Sequence, residues 1–120
     1  MERDITLFLA IEKMMQERMF LHQGKLFVKD VDLAAIYEVK ITNLRTKISK
    51  NRSRFPADFI TEISKGEYVF TELGILMLGG LLRSERARRA HMQFIEYFVH
   101  LLHENGMSVF DFINTSSNEL

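Results

Sequence analysis

The chain of 120 residues has no cysteine, no tryptophan and a single proline. Without cysteine there are no disulfides, no thiol nucleophile, no thiolate zinc site and no redox motif. A lone proline, Pro56, leaves long helices uninterrupted on both sides of it. No apolar run is long enough for a membrane span: Ile5 to Ile11 is stopped by Glu12 and Lys13. The opening Met1-Glu2-Arg3-Asp4 places acid where a signal peptide carries positive charge, so the expected compartment is the cytoplasm. Charge of one sign is lacking overall, with 16 basic and 16 acidic side chains. A hydrophobic fraction of 47% and a charged fraction of 27% are those of an ordinary globular domain, which excludes disorder and fibrous repeats. At this length one core, and one domain over residues 1–106, is expected.

The neutral total conceals a strong asymmetry. Residues 1–39 carry a net charge of −2, residues 40–89 a net of +6, and residues 90–120 a net of −4. A basic block between acidic ends points to an anionic partner.

Apolar spacing sets out the elements. Leu7, Phe8, Ile11, Met14 and Met15 predict a helix over 4–18 with Asp4 as its N-cap, and Leu9 falls off the stripe as a contact with another subunit would. Two apolar runs around Gln23-Gly24-Lys25 predict a hairpin over 19–28. Asp30 or Asp32 is expected to cap a short helix to Tyr37, with Val31, Ala34 and Ala35 or Ile36 turned inward. After the turn 38–40, Ile41, Leu44 and Ile48 give a second helix of about 41–51 with one narrow buried stripe. Pro56 forces Phe55 out of helical geometry. Strands follow at 59–63 and 68–70, and then a helix from the Thr71 cap to Leu82. Its Gly74, Gly79 and Gly80 are expected to admit another backbone. Ser84 caps a last helix of about 84–105, with Phe94, Ile95, Phe98, Leu101 and Leu102 inward and Gly106 at its end. The tail 107–120 is expected to dock in part. The fold class is therefore α+β and predominantly helical, with a helix-turn-helix at about 30–51, a small antiparallel sheet and a long C-terminal helix.

The second helix of that pair carries the functional expectation. Between Lys40 and Arg54 there are six basic residues and no acid. An exposed helix kept for stability would carry Glu–Lys pairs at i, i+4, and this one has none. Asn43, Arg45 and Thr46 have the chemistry for base edges in a major groove. Thr42, Lys47, Ser49, Lys50, Arg52 and Arg54 suit the phosphate backbone. Arg83, Arg86, Arg88 and Arg89 lie at the start of the last helix, where positive charge opposes the helix dipole. Arg86 and Arg89 are expected to form a second phosphate clamp, the bland alternative being pairing with Glu72, Glu85 or Asp58.

Four motifs in order carry a family resemblance: Val31-Asp32-Leu33-Ala34-Ala35-Ile36-Tyr37, Asn43-Leu44-Arg45 with Lys50-Asn51, Arg54-Phe55-Pro56-Ala57-Asp58-Phe59, and Phe70-Thr71-Glu72-Leu73-Gly74 with Ser84-Glu85-Arg86-Ala87. Together they resemble the ORF-six N-terminal domain family, a phage and prophage DNA-binding domain related to KilA-N and Bro-N, across roughly residues 11–104. The resemblance implies sequence-directed binding of double-stranded DNA. Glu38 stands where the family usually has Gly, which weakens the expectation of a left-handed turn residue. The stretch from Phe59 to Phe70 is shorter than the family's, so any DNA contact made by the family's Gly-rich segment is missing.

Catalysis is not expected. Glu96, His100 and His103 share one face of the last helix, but nothing in the sequence completes a metal shell, so they read as an ordinary polar face. No phosphate loop, nucleophile elbow or paired-carboxylate motif is present, and no cofactor or small-molecule substrate is implied. The expected function is double-stranded DNA binding in transcriptional or phage-related regulation, as a homodimer. The alternative is a protein-interaction module, dimerising or antirepressor-like, that reads no DNA.

Overall fold

The computed structural model describes residues 5–108 and Asp111. The Asp4 cap and the docking of Val109, Phe110, Phe112 and Ile113 lie outside the described residues. Chain order is α1 (Ile5–Arg18), β1 (Phe20–His22), β2 (Lys25–Lys29), α2 (Asp30–Tyr37), α3 (Ile41–Lys50), β3 (Ile60–Ser64), β4 (Glu67–Phe70), α4 (Glu72–Leu81) and α5 (Glu85–Glu104), with a 3-10 turn at Arg52–Arg54. The architecture is predominantly helical α+β with one small sheet, as the periodicities require.

The two hairpins join into a single antiparallel sheet of order β1-β2-β4-β3. Gln23 and Gly24 both have positive φ, 51° and 79°, so β1 and β2 are joined by the two-residue turn whose twist matches that of the strands. Val28 pairs with Phe70 and Lys29 with Val69, which brings β4 beside β2 across forty residues of chain. Helices α2 and α3 are thereby inserted between two neighbouring strands of one sheet.

The core lies between this sheet and the helices. Leu7 and Ile11 of α1, Leu33 and Tyr37 of α2, Leu44 and Ile48 of α3, Phe70, Ile75, Leu78 and Phe94 are all fully buried. Tyr37 stands 5.8 Å from Phe94, and Phe8 meets Tyr97 edge-on at 6.2 Å, so α5 carries both α1 and α2. Burying Leu44 and Ile48 contributes about 1.5–3 kcal/mol each, enough to hold a ten-residue helix that would not persist alone.

Several local expectations change. Neither Asp30 nor Asp32 caps α2: the cap position is Lys29, with no side-chain bond, and both acids lie in the first turn. Val31 is exposed and Leu33 takes an inward position, on the face that α2 buries together with Ala34, Ile36 and Tyr37. On α5, Ile95 is exposed, while Ala90, Gln93 and Tyr97 turn inward. The caps at Thr71 and Ser84 hold: Thr71 Oγ1 accepts from Gly74 N at 3.2 Å, and Ser84 Oγ accepts from Ala87 N at 3.0 Å. Gly106, at φ 70°, ends α5 as a C-terminal glycine should. Phe55 is extended ahead of Pro56, so α3 gives way to the 3-10 turn. Of the three α4 glycines only Gly74 meets backbone. Gly79 faces the His91 ring, and Gly80 faces open space.

Glu38 is left-handed, φ 55° and ψ 47°, despite its side chain. Its N–H and that of Val39 reach back to the carbonyls of Ala35 and Ala34, which closes α2 tightly and turns the chain into α3 within three residues. A side chain in this region costs about 1–2 kcal/mol relative to glycine. Its carboxylate is exposed and pairs with Arg86 at 3.1 Å. Glu38→Gly is therefore expected to raise stability by up to about 1 kcal/mol, since the strain relieved exceeds the lost surface pair and the added chain entropy. Thermal denaturation checks this. A lower Tm would mean that the Arg86 contact outweighs the backbone strain.

Candidate nucleic-acid interface

α3 turns Leu44 and Ile48 inward, and its turn geometry distributes the remaining side chains around that stripe. Thr42, Asn43, Thr46, Ser49 and Lys50 are exposed, while Arg45 and Lys47 are half-buried on opposite flanks. The outward face is thus mostly uncharged and polar, with hydroxyl, amide and ammonium groups one turn apart. Thr46 Oγ1 donates to the Thr42 carbonyl at 2.9 Å, which leaves its lone pairs and methyl outward. Cations frame this face: Lys40 at the N-terminal cap position, Lys47 and Lys50 in the last turn, and Arg54 exposed in the following 3-10 turn. Arg52 is half-buried and donates through Nη2 to the Ile60 carbonyl at 3.3 Å, joining the end of α3 to β3. Asn51 closes α3 by donating Nδ2 to the Lys47 carbonyl at 2.8 Å.

Arg45 is bound inside the fold. Its Nε donates to Asp30 Oδ2 at 2.9 Å and its Nη2 to Asp30 Oδ1 at 3.2 Å, a two-bond fork with 30% of the Arg45 side chain still exposed. Asp30 is only 2% exposed, and its Oδ2 also accepts from Tyr68 N at 3.0 Å. One carboxylate therefore ties α3 to β4 from the first residue of α2, and the hydrogen bonds that Arg45 donates to Asp30 raise its pKa above the ordinary value. Spacing gave no hint of this role for Asp30, because an Asp beside a helix start reads first as a cap. The available signal was an acid embedded in the apolar run Leu26 to Ile36, otherwise broken only by Lys29 and Asp32.

The arginines before and within the first turns of α5 are divided. Arg86 Nε donates to the Ile36 carbonyl at 3.0 Å and faces Glu38, so it closes the end of α2 from the side of α5. Arg88 pairs with Glu85 within its own helix. Arg83 and Arg89 are exposed. Arg89 is the member of the expected clamp that stays on the surface, while Arg86 is engaged internally. His100 bonds Glu104 at 3.0 Å on the exposed side of α5. Among the described residues no cluster of three or more His, Asp or Glu has the geometry to hold a metal ion, and no helix is long and apolar enough to cross a membrane.

Beyond α3, three apolar pairs stay on the surface. Ile5 and Leu9 lie one turn apart on α1, and Met92 and Ile95 lie together on α5. Leu21 and Leu26 pair across the β1–β2 hairpin and are both exposed.

No curated protein and no solved structure gives a significant match to the chain. The model of the ORF6N domain matches residues 17–69, from the end of α1 through β4, the segment that holds α2, α3 and both hairpins. With the ordered motifs from Val31 to Phe59 inside that match, residues 17–69 are similar to the ORF6N domain, a phage-related domain.

Proposed function

We propose that this chain binds double-stranded DNA without catalysis, with α2 and α3 acting as a helix-turn-helix and α3 lying in the major groove. The supporting observation is the exposed face of α3. Thr42, Asn43, Thr46, Ser49 and Lys50 point away from the core, framed by Lys40, Lys47 and Arg54, with no acid between residues 40 and 54. Asn43 offers a bidentate amide for an adenine edge, and Thr46 offers a hydroxyl and a methyl. Lys47, Ser49, Lys50, Arg54 and the Thr42 hydroxyl suit phosphates flanking the groove, with Arg89 as a more distant phosphate contact. Arg52 and Arg86 act from within, holding the ends of α3 and α2.

The role is regulation in a phage or prophage setting, and the working unit is a homodimer. The exposed apolar pairs Ile5–Leu9 and Met92–Ile95 supply surface for self-association. The same surface favours the second reading, a protein-interaction module that reads no DNA. Salt separates the two, because phosphate contacts release counterions and an apolar contact does not.

Selection of bound duplexes from a random pool at physiological salt is expected to enrich a motif whose symmetry reports the half-site spacing. Lys50→Ala is expected to weaken binding to all duplexes alike and to lower the slope of log K against log salt by about one. Asn43→Ala is expected to cost about 1–3 kcal/mol on the enriched duplex and little on a scrambled one. Equal binding of every duplex by both variants and the parent would remove α3 from the interface.

A further inference from the structure

We propose that Asp30 is a positioning residue that presents Arg45 to a guanine at the edge of the α3 site, an inference that rests on the DNA-binding reading above. A guanidinium has two forks. The side fork, Nε with Nη2, is taken by Asp30 at 2.9 and 3.2 Å. The end fork, Nη1 with the second Nη2 hydrogen, has no hydrogen-bond partner among the described residues, and the side chain is partly open to solvent. That end fork matches the O6 and N7 acceptors that guanine alone presents together in the major groove.

Arg45 lies on the flank of α3 shared with Thr42 and Ser49, three residues before and four after it, so its base pair adjoins the one facing those hydroxyls. The third bond to the Asp30 carboxylate, from Tyr68 N at 3.0 Å, anchors the acid to β4 and prevents it from swinging with the arginine. The arginine is thus ordered during folding and loses little freedom when it meets a base.

The pairing has an electrostatic consequence. Asp30 neutralises Arg45, so this arginine supplies donors to a base edge without adding a net charge to the phosphate-facing surface. Arg45 should therefore set sequence preference without contributing to the salt slope, the reverse of Lys50, which contributes to the salt slope without setting preference. A residue holding only the fold would alter neither.

The test compares the full chain with Arg45→Lys and Asp30→Asn, each first shown to be folded by circular dichroism. Affinities are measured on the enriched duplex and on the set in which each G·C pair is changed to A·T. The parent is expected to lose roughly tenfold or more at one G·C position. Arg45→Lys, which keeps the charge beside Asp30 but has no fork, is expected to abolish that preference while leaving the salt slope unchanged. Asp30→Asn is expected to weaken the same preference and to steepen the salt slope by about one, because the Arg45 charge is then uncompensated. If Asp30→Asn does not fold, Arg45→Lys decides the matter. An Arg45→Lys protein with the parent's preference at every position overturns the proposal, as does a folded Asp30→Asn protein with parental motif and salt slope. In either case the enriched motif still stands as evidence for DNA reading, whereas a parent that enriches no motif removes both.

Discussion

Gly74→Ala is expected to cost about 3 kcal/mol or more and to lower Tm by more than roughly 10 °C. A Cβ at this position would lie 2.1 Å from the Phe59 carbonyl oxygen and 3.1 Å from its carbon. That carbonyl cannot move aside cheaply, since it accepts from Thr71 N at 3.1 Å and from Thr71 Oγ1 at 3.2 Å, while Thr71 Oγ1 in turn caps α4. Displacing it would strain the approach to β3, loosen the cap and open the seat of Phe70. The two neighbouring glycines provide contrasts within one helix. At Gly79 the obstacle is the His91 ring, a side chain that can rotate, so Gly79→Ala should cost less. Gly80 faces open space and is exposed, so Gly80→Ala should gain up to about 1 kcal/mol from helix propensity. Urea or thermal denaturation of the three variants measures the order. Equal midpoints for Gly74→Ala and Gly80→Ala would show that the Phe59 carbonyl yields.

Arg45→Ala is the second large effect, and it falls on stability as well as on binding. It leaves the Asp30 carboxylate almost fully buried with Tyr68 N as its remaining donor. Removing one partner of a buried pair costs about 3–5 kcal/mol, and because Arg45 is partly exposed the lower end of that range is expected. The double variant Asp30→Asn with Arg45→Ala should recover part of the loss, because no charge is then buried alone. Chemical denaturation of the parent, the two single variants and the double variant closes the cycle. A deficit that the double variant does not relieve would show that packing by the arginine stem, rather than charge, accounts for the loss.

These effects mark where the chain is legible and where it is not. The α1 stripe, the hairpin at Gln23-Gly24, the α3 stripe at Leu44 and Ile48, and the caps at Thr71 and Ser84 are all readable, because each depends on residues within a turn or two of one another. The exposure of Thr42, Asn43, Thr46, Ser49 and Lys50 follows from the same periodicity. Arg45 stands four residues after Ile41 and one after Leu44, and spacing alone leaves it equally free to face a groove or a neighbouring element. The acid that holds it is fifteen residues away, and the strand that completes the site is farther still. Glu38 shows the same limit from the other side: glycine is the usual sign of a left-handed residue, but the packing of α2 against α3 and the reach of Arg86 impose that conformation on a glutamate.

By itself, then, the order of residues determined which segments are helix or strand, most of the faces they bury (Val31 and Ile95 excepted), and that a basic, acid-free helix follows a short apolar one. Those properties arise from hydrophobic period, capping and turn chemistry, which act over a few residues. Only the tertiary structure decided that β2 and β4 are neighbours, that Arg86 closes α2 instead of lying open on the surface, and that Arg45 leans on Asp30. Each of those outcomes turns on a charge or a carbonyl finding its partner across the fold, and such partners are selected by the geometry of the assembled core rather than by distance along the chain.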